Sequence, residues 1–275
     1  MAPRSSLAPD AITRAARFIA DMRLRRNGLA PPIEALPDGA RPLSLEDGYA
    51  IQEAARPLLE AGGFGSMVGW KVGSTSPAMM AALGIPHPCA GTLYRNSVRA
   101  SGCHLREQDF CQLGFECEIA VRLKAPVPAR DGGHTVESVR PAVGAAMVAM
   151  ETVERRFADF RAVGTGALVA DDFFSAGAVL GAEMSPDLLA DPAAMPGEIR
   201  IDGEIAFEGV ATDILGHPLA SLAFVADLAA SRGTPLETGM VVMLGSISPG
   251  IRIPGARRAE ASFAGLGTVV ATIEP

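Results

Sequence analysis

The sequence lacks the features by which several large classes of protein are recognised. It has no run of Lys or Arg longer than two or three residues, and its formal net charge is -7. Nucleic-acid binding requires a basic patch, so we expect no nucleic-acid partner. No stretch of about 18 uncharged apolar residues occurs, and the N-terminal segment mixes Asp and Arg into its apolar positions. We therefore expect neither a membrane span nor a secretion signal.

Cysteine is also scarce. The chain has only 4 cysteines, and no two of them have CxxC spacing. The 4 histidines are scattered as well, and none has the spacing of a zinc site. We interpret the cysteines as reduced thiols and place the protein in the cytoplasm. No repeat of fixed period is present, which argues against a solenoid or propeller.

Helical patterns dominate the N-terminal part of the chain. Apolar residues recur near helical spacing over residues 10–27, with arginines between them, which predicts an amphipathic helix. Ser44 and Asp47 resemble a capping box that opens a second helix. Pro57 should kink or end that helix. We assign residues 1–63 to a helical N-terminal part.

After this part, short apolar runs separated by Gly, Pro and Asn are typical of a β-rich structure. Asp202 and Gly203 lie between two alternating runs, so we expect a hairpin there. Two helices interrupt the runs, one starting near Thr135 and one over residues 217–233. The 275 residues, 48% of them hydrophobic, suffice for one principal core. These runs predict an all-β core or, with the helices, a β-rich α+β fold over residues 64–275.

The run FECEIAV, residues 115–121, places two carboxylates inside an apolar segment. Side chains alternate along a strand, so Glu116 and Glu118 project from one face while Cys117 projects from the other. Their α-carbons would lie about 6 to 7 Å apart. Two like charges at that distance repel each other in a partly dehydrated site unless a positive charge neutralises them. A hard divalent cation, which prefers oxygen ligands, would do so.

A third acid, Glu151, directly follows the apolar run AAMVAM, where a buried strand would deliver it to the sheet edge. We predict Glu151 as the third metal ligand. Glu154 lies beside Arg155 and Arg156, so we expect it to form an ion pair at the surface. The local sequence leaves an alternative open, because an E-x-E segment in a strand is usually a solvent-facing edge paired with Lys or Arg.

A set of segments in fixed order resembles the fumarylacetoacetate hydrolase superfamily. Within it, the chain is similar to the branch of 2-keto-4-pentenoate hydratases and 4-oxalocrotonate decarboxylases. The resemblance runs from about Leu43 to the C-terminus and implies that superfamily's β-rich core, a rolled barrel of mixed sheets. The segments that carry it are GWKVGSTSPAMMAALGI (69–85), GTLY (91–94), FECEIAV (115–121), METVERRFADF (150–160), LVADDFFSAGAVLG (168–181), GHPLASLAFVADLAASRG (216–233), LGSIS (244–248) and ASFAGLGTV (261–269).

The resemblance implies a cofactor and its ligands. In that family an acidic pair and a third glutamate hold magnesium or manganese, and these positions fall on Glu116, Glu118 and Glu151. We therefore expect Mg²⁺ or Mn²⁺ on the three residues that the strand pattern also selects. The lysine of the family's GxKVG motif falls on Lys71, which we expect to be catalytic, either holding the substrate carboxylate or handling a proton.

Further site residues follow from the same resemblance. Asp171 falls on the acid of the family's Asp-Asn pair, and we expect it to be catalytic by orienting the lysine or a water. Ser246, in the segment matching the family's TGS turn, is expected to bind the substrate carboxylate through its hydroxyl and backbone amide. Ser74 and Ser76 belong to the loop that covers the substrate in that family, and we expect both to bind substrate.

This sequence departs from the family around the expected pocket. Arg95 stands in a segment where relatives often carry acids; it would recognise a second carboxylate or a polar tail of the substrate, or lie on the surface. Leu244 replaces the usual threonine and Asp172 the usual asparagine. Phe173 and Phe174 are bulkier than the residues commonly found there. The departures leave the expected metal ligands intact and concern the substrate and the reaction.

The function expected from this combination is a cytoplasmic hydratase. It would add water to a 2-hydroxy-2,4-dienoate of aromatic catabolism and form a 4-hydroxy-2-oxo acid, with the metal stabilising an enolate. The alternatives are a 4-oxalocrotonate-type decarboxylase, an acylpyruvate-type hydrolase or a non-catalytic partner subunit. The expected partner is the small 2-oxo or 2-hydroxy dienoic acid. The resemblance also implies a homo-oligomer and allows a complex with another enzyme of the pathway.

Overall fold

Two helices open the part of the chain that the computed structural model describes, which is residues 5–25, 39–252 and 254–274. Helix α1 spans Pro9–Arg25, and α2 spans Leu45–Leu59. The predicted helix over residues 10–27 is thus present, although its last two residues lie outside the described residues. Pro57 lies inside α2, and the chain continues through a wider helical turn, Glu60–Phe64, instead of stopping there.

The start of α2 differs in one respect from the predicted capping box. The Ser44 hydroxyl accepts a hydrogen bond from the Asp47 amide at 3.1 Å, as a helix cap requires. The Asp47 carboxylate does not return to Ser44. It accepts from the amides of Leu43 (3.1 Å) and Ser6 (2.8 Å), so it ties the residues before α1 to the start of α2.

Strands in the described residues form two mixed sheets. The strands are β1 Met67–Gly73, β2 Cys89–Tyr94, β3 Val98–Ala100, β4 Cys103–Arg106, β5 Leu113–Leu123, β6 Val143–Glu154, β7 Ser175–Leu180, β8 Pro196–Ile201, β9 Glu204–Val210, β10 Val241–Ser246, β11 Arg258–Phe263 and β12 Gly267–Glu274. One sheet has seven strands in the order β2-β1-β10-β5-β6-β7-β3, and the other has five in the order β4-β12-β11-β8-β9. Most neighbours are antiparallel, whereas β1 pairs with β10, β3 with β7 and β4 with β12 in parallel.

The two sheets meet on one face of β5. The Cys117 thiol donates to the carbonyl oxygens of Glu198 (3.4 Å) and Ser262 (3.9 Å), which belong to β8 and β11 of the smaller sheet. Because neighbouring side chains point to opposite faces, Glu116 and Glu118 project away from this contact. The alternation expected for the FECEIAV run is therefore present. All four cysteines are free, as predicted.

The remaining helices are shorter, apart from the last. They are α3 Pro77–Leu83, α4 Val136–Val139, α5 Phe160–Val163, α6 Thr165–Ala170 and α7 Pro218–Ser231. The helix expected near Thr135 is α4, capped by the Thr135 hydroxyl but only four residues long. A proline cannot donate to the helical ladder, and Pro141 begins the passage from α4 to β6. At the start of α7, the His217 ring accepts a hydrogen bond from the Leu219 amide at 3.0 Å and so caps the helix.

One segment, Ala211–Ser231, is long and apolar enough to cross a membrane if judged by length and composition alone. It contains α7, and half of that segment is buried inside the protein. The buried positions include Leu219, Leu222 and Val225, which belong to the main hydrophobic core. A core helix of this kind passes the same length test, so the segment is weak evidence for a span.

The α+β fold with mixed sheets and a helical N-terminal part is confirmed. The hairpin at Asp202 and Gly203 is also present, and both residues have positive φ (52° and 90°), as a tight two-residue turn requires. The helical part shares its core with the sheets: the Ala90 amide donates to the Tyr49 hydroxyl at 3.0 Å, and Gln52 donates to the Ala90 carbonyl at 3.1 Å. The boundary between residues 63 and 64 stays a prediction.

Candidate active site

Three glutamates meet on one face of the larger sheet. Glu116 and Glu118 are two positions apart on β5, and Glu151 on β6 lies directly opposite Glu116 in the antiparallel register. Residues that face each other across an antiparallel pair project from the same side of the sheet. One carboxylate oxygen of each residue lies within 4.8 Å of the others. The structure thus brings the three predicted metal ligands together.

The donor set of this cluster fits a hard divalent cation. The side chains of Glu118 and Glu151 are buried, at 1% and 0% exposure. Glu118 Oε2 accepts a hydrogen bond from the Gly245 amide at 3.1 Å, and Glu151 Oε1 lies 3.2 Å from the Lys71 ammonium. Three buried or partly buried carboxylates around one ammonium leave an excess of negative charge, which a divalent cation would neutralise. Three carboxylates with open positions match the oxygen ligands that Mg²⁺, Mn²⁺ and Ca²⁺ prefer.

Lys71 supplies the positive charge in this cluster. It lies on β1, is 2% exposed, and its ammonium donates to Glu151 Oε2 at 3.2 Å. Burial alone would lower the pKa of Lys71, but the neighbouring charges of Glu151, Glu116 and Glu118 outweigh burial and raise it. The ammonium is therefore held in its charged form, where it can attract an anionic ligand or donate a proton.

The pKa values of the three glutamates are raised as well, but for them burial is the main cause. Burial, with the Glu151 charge as the next cause, raises the pKa of Glu116 to about 8. Burial and the charges of Glu151 and Glu116 hold the pKa of Glu118 well above its ordinary value. Burial also raises the pKa of Glu151, against the lowering effect of Lys71. Without a cation the cluster retains protons near neutral pH, so metal binding there must displace protons.

A cavity of about 310 Å³ opens above the cluster. Lys71 and Glu116 form part of its floor, and aromatic and aliphatic side chains form much of its wall. This size and mixture are typical of a site for a small organic molecule. The lining residues are Lys71, Gly73, Ser74, Thr75, Ser76, Met79, Leu83, Gln112, Gly114, Glu116, Val153, Glu154, Arg155, Phe160, Phe173, Phe174, Ser246, Ser248, Pro249, Gly250 and Arg252.

The sequence of the chain matches the model of a known protein family. The model of the family described as fumarylacetoacetate (FAA) hydrolase C-terminal matches residues 83–274. The chain belongs to the fumarylacetoacetate hydrolase family. Among curated relatives, a 2-keto-4-pentenoate hydratase of Paraburkholderia phymatum is 34% identical over 251 residues, covering 90% of this chain and 91% of that protein. A 4-oxalocrotonate decarboxylase of Pseudomonas putida is 30% identical over 229 residues, with coverage of 83% and 85%.

Solved structures agree with this assignment. The 4-oxalocrotonate decarboxylase from Pseudomonas putida G7, complexed with magnesium and adipate, has a TM-score of 0.87 and 27% identity, and the match covers 98% of this chain and 100% of that one. Fumarylpyruvate hydrolase from Pseudomonas aeruginosa, complexed with Mn²⁺ and pyruvate, has a TM-score of 0.58 and 17% identity over 74% and 88%, which shows the fold alone. The curated hydratases and decarboxylases of the family confirm the prediction of an enzyme of the lyase class.

The predicted serines lie on two loops of this family fold. Ser74 and Ser76 line the cavity after β1. The Ser74 hydroxyl is buried with no hydrogen-bond partner among the described residues, so it is free to contact a ligand. The Ser76 hydroxyl instead caps α3 by accepting from the Met79 amide at 3.2 Å. Ser246 also lines the cavity, but its hydroxyl donates to the Cys117 carbonyl at 3.0 Å, which fixes the end of β10 against β5. Substrate binding by these serines stays a prediction.

Asp171 has partners that differ from those expected. Its carboxylate accepts two hydrogen bonds from Arg156 Nε, at 2.9 and 2.8 Å, and it is not among the residues that line the cavity. The expected contact with Lys71 does not occur in the described part of the chain. Burial raises the pKa of Asp171 despite the lowering effect of Arg156 and Arg23. A catalytic role for Asp171 stays a prediction, and Arg156 is the group through which it would act.

Asp172 extends this buried network to the N-terminal helix. Its carboxylate forms an ion pair with Arg23 of α1 and accepts a hydrogen bond from the Thr92 amide at 2.8 Å. Arg23 and Arg156 also donate to the Ser175 carbonyl, at 3.3 and 2.9 Å. Asp172, which stands where the family usually has asparagine, is therefore paired with a buried arginine, Arg23, from another element.

The network holds an unusual turn above Lys71. Asp172, Phe173 and Phe174 have φ of 54°, 50° and 68°, the left-handed region. Such a conformation costs about 1–2 kcal/mol for each residue other than glycine, so the surroundings must impose it. The turn places the Phe173 ring 5.2 Å from Lys71 Nζ. A Cβ at Gly73 would come within 2.6 Å of that ring, and glycine therefore permits this close approach.

The structure also locates Arg95 and Glu154. Arg95 is exposed, donates to the Ser66 hydroxyl at 3.3 Å and is not among the residues that line the cavity, in line with the surface alternative; substrate binding by Arg95 stays a prediction. Glu154 does form an ion pair with Arg156, at 2.6 Å, but its side chain is only 12% exposed and lines the cavity. The prediction of a surface pair is therefore wrong, because the end of β6 directs Glu154 into the cavity rather than outward.

Proposed function

We propose that the protein is a divalent-metal-dependent hydratase that adds water to a 2-hydroxy-2,4-dienoate and yields a 4-hydroxy-2-oxo acid in cytoplasmic aromatic catabolism. The observation that carries the proposal is the set of three glutamates, two of them fully buried, joined by a buried lysine at the floor of a partly apolar cavity. The names of the curated relatives support this assignment.

The cation is proposed to be Mg²⁺ or Mn²⁺, held by Glu116, Glu118 and Glu151. Structures of relatives contain magnesium, calcium or manganese ions. When bound, such an ion supplies Lewis acidity toward the oxygen of a 2-oxo group and so favours the enolate form of the substrate.

The residues of the chain contribute binding, orientation and proton transfer. The Lys71 ammonium is the positive side chain at the cavity floor, and it attracts the substrate carboxylate. Its proton is available to the diene when the dienol becomes a conjugated ketone. The Gly245 amide fixes the Glu118 carboxylate, and the Phe173 ring covers Lys71 on one side and limits access of bulk water.

The same site would serve a decarboxylase, because loss of carbon dioxide from a 2-oxo acid of this kind leads to the same enolate. An acylpyruvate hydrolase and a non-catalytic partner subunit are two further candidates. Assembly as a homo-oligomer, or in a complex with another enzyme of the pathway, stays a prediction.

The test is product analysis with the purified protein and Mg²⁺. With 2-hydroxypenta-2,4-dienoate we expect 4-hydroxy-2-oxopentanoate, detected by mass spectrometry, with activity abolished by EDTA and restored by Mg²⁺ or Mn²⁺. Carbon dioxide released from 4-oxalocrotonate would identify a decarboxylase, and two acid fragments from an acylpyruvate would identify a hydrolase. Binding of metal and 2-oxo acid without any product would identify a non-catalytic subunit. Glu198→Gln, on the smaller sheet, is the matched control and should retain activity.

A further inference from the structure

The Phe173 ring is the part of the cavity wall that lies beside Lys71. Phe173 is 6% exposed and lines the cavity, and its ring centroid lies 5.2 Å from Lys71 Nζ. The ring also makes an edge-to-face contact with Phe174, at 5.5 Å between the centroids. An aromatic face attracts an ammonium group and keeps water away from one side of it. The position of this ring therefore determines how much water reaches the Lys71 ammonium.

The turn that carries the ring is strained. Asp172, Phe173 and Phe174 are three consecutive residues other than glycine in the left-handed region. In the backbone, the Phe173 amide donates to the Leu168 carbonyl at 2.7 Å, and the Phe174 carbonyl accepts from the Glu154 amide at 2.9 Å. Because each left-handed residue is disfavoured relative to ordinary conformations, contacts of side chains with the rest of the protein must help to hold the turn.

Arg23 of α1 holds the turn at both of its ends. Its guanidinium forms an ion pair with the Asp172 carboxylate at the start of the turn, and it donates to the Ser175 carbonyl at 3.3 Å, just beyond the last residue of the turn. The second carboxylate oxygen of Asp172 accepts from the Thr92 amide at 2.8 Å, so this carboxylate is fixed between α1 and β2. One arginine from a distant helix thus contacts the chain on each side of the two phenylalanines.

Two strands fit closely against the turn in this position. A Cβ at Gly91 of β2 would come within 2.6 Å of the Asp172 carbonyl oxygen, and a Cβ at Gly73 of β1 would come within 2.6 Å of the Phe173 ring. Glycine at both positions allows the turn to lie this near the strands. Since Asp172 and Phe173 are adjacent, a shift at the carboxylate would also move the ring.

Arg23 is itself fixed in place. It is 5% exposed, and its guanidinium carbon lies 5.2 Å from the Phe64 ring centroid and 5.6 Å from the Tyr94 ring centroid. Contacts of this kind restrain the long arginine side chain. The buried face of α1, which includes Ile19 and Ala20, anchors the helix in the molecule. The helix therefore delivers a charge of fixed position to the turn.

We propose that Arg23 is a positioning residue of the active site: by holding Asp172, it keeps the Phe173 ring against Lys71 and so strengthens the binding of an organic acid at the cavity floor. The ring excludes water from the ammonium, and an ammonium with less water around it attracts an anion more strongly. When the ring is displaced, water enters and the acid binds more weakly. This inference rests on the proposed function only for the choice of ligand, an acid with a 2-oxo group.

The first measurement follows the ring and needs no ligand. Incorporation of 4-fluorophenylalanine gives each of the 11 phenylalanines a fluorine NMR resonance, and Phe173→Leu identifies the resonance of Phe173. The test variant combines Arg23→Met with Asp172→Asn, which removes the ion pair without leaving an unpaired buried charge. We expect its Phe173 resonance to shift or broaden, while phenylalanines far from the turn keep theirs. Arg14→Met, at an exposed position of the same helix, is the control and should change none of them.

The second measurement connects the ring to a ligand. Calorimetry with the Mg²⁺-loaded protein gives the Kd of 2-oxopentanoate, a saturated acid that cannot be hydrated. In the variant with Arg23→Met and Asp172→Asn this Kd should rise about fivefold, whereas the Kd of Mg²⁺ should stay within about twofold of the wild-type value. Phe173→Ala should raise the Kd of 2-oxopentanoate by itself. Adding the other two changes to Phe173→Ala should have little further effect, because Arg23 acts through the ring.

An unchanged Phe173 resonance, an unchanged Kd for 2-oxopentanoate, no binding of this acid by the wild type, or effects that simply add would overturn the positioning role. A general loss of structure would shift most of the resonances and weaken Mg²⁺ binding, and it would also contradict the role. Product formation tests the proposed function separately. A protein that shows the expected changes but hydrates no dienoate would retain the role of Arg23 and lose the hydratase assignment, and a hydratase without these changes would have the reverse outcome.

Discussion

Two groups of four charged side chains, buried or largely buried, differ in how their charges balance. In the first, Glu116, Glu118, Glu151 and Lys71 sum to -2 when all are ionised. In the second, Arg23, Arg156, Asp171 and Asp172 sum to zero, and every member forms an ion pair with another member. Arg156 also pairs with Glu154, which is 12% exposed and lines the cavity. The second group is complete within the protein, whereas the first lacks two positive charges.

This difference separates a structural network from a binding site. Buried charge is costly unless it is paired, so a fold can retain an unbalanced group only where something outside the chain completes it or where protons reduce its charge. The balanced group fixes a strained turn and connects α1 to the larger sheet. One divalent cation would neutralise the net charge of the unbalanced group.

The largest expected effect comes from removing one charge of the unbalanced group. Glu118→Gln keeps the acceptor for the Gly245 amide but deletes a metal ligand. Since a Lewis acid contributes several kcal/mol to such a reaction, turnover should fall by about a thousandfold or more. Metal affinity, measured by calorimetry, should fall with it. The metal-free variant should melt at a higher temperature than the metal-free wild type, because glutamine is neutral without taking up a proton, whereas the raised pKa of Glu118 makes folding depend on protonation. Metal binding and turnover that both survive Glu118→Gln would contradict the proposed role of the cluster.

The balanced group should respond to a single change with a loss of stability. Arg23→Met leaves the buried Asp172 carboxylate without its arginine, and we expect the free energy of unfolding to fall by about 3 kcal/mol in a denaturant titration. Adding Asp172→Asn should recover most of that loss, because it removes the unpaired charge. Arg14→Met on the same helix breaks only the exposed pair with Asp10 and should change the free energy of unfolding far less than Arg23→Met. Equal losses of unfolding free energy from Arg23→Met and Arg14→Met would contradict the structural role of the balanced group.

The smallest expected effect is a pH dependence confined to the metal-free protein. The pKa of Glu116 is about 8 in the folded protein, against an ordinary value of 4.5. Between these values the folded state holds a proton that the unfolded state has lost, so stability falls as pH rises through this window. In thermal unfolding with EDTA from pH 5 to pH 8 we expect the Tm to decrease by several degrees. Saturating Mg²⁺ should flatten the slope, as should Glu116→Gln without metal; identical slopes in all three samples would refute this account.

Much of the unbalanced group could be predicted from the sequence because its geometry is local. Alternation along one strand placed Glu116 and Glu118 on the same face, and the position of Glu151 after an apolar run placed it at a neighbouring strand. Family resemblance then added Lys71. Glu116 and Glu118 could be recognised in the sequence because carboxylates stand out in an apolar run.

The balanced group could not be predicted, because its partners come from distant parts of the chain. Arg23 and Asp172 are separated by 149 residues, and nothing in an amphipathic helix marks one arginine as buried. The family resemblance led us to expect Asp171 to orient Lys71 or a water. The sequence cannot show that the Asp171 carboxylate is instead bound by Arg156. The sequence also did not predict that Arg155 and Arg252 line one cavity, since the backbone contacts of Arg155 with Cys111 and of Ile251 with Phe115 join segments far apart in the chain.

The register between β5 and β6 has a consequence for refolding. A slip of one residue would turn the Glu151 side chain to the opposite face and leave two carboxylates where the native pairing has three. A divalent cation binds the native arrangement more tightly than any slipped one, so its presence during refolding would favour the correct pairing. Recovery of native protein from denaturant should therefore be higher when Mg²⁺ is added at the start of refolding than when it is added after refolding is complete.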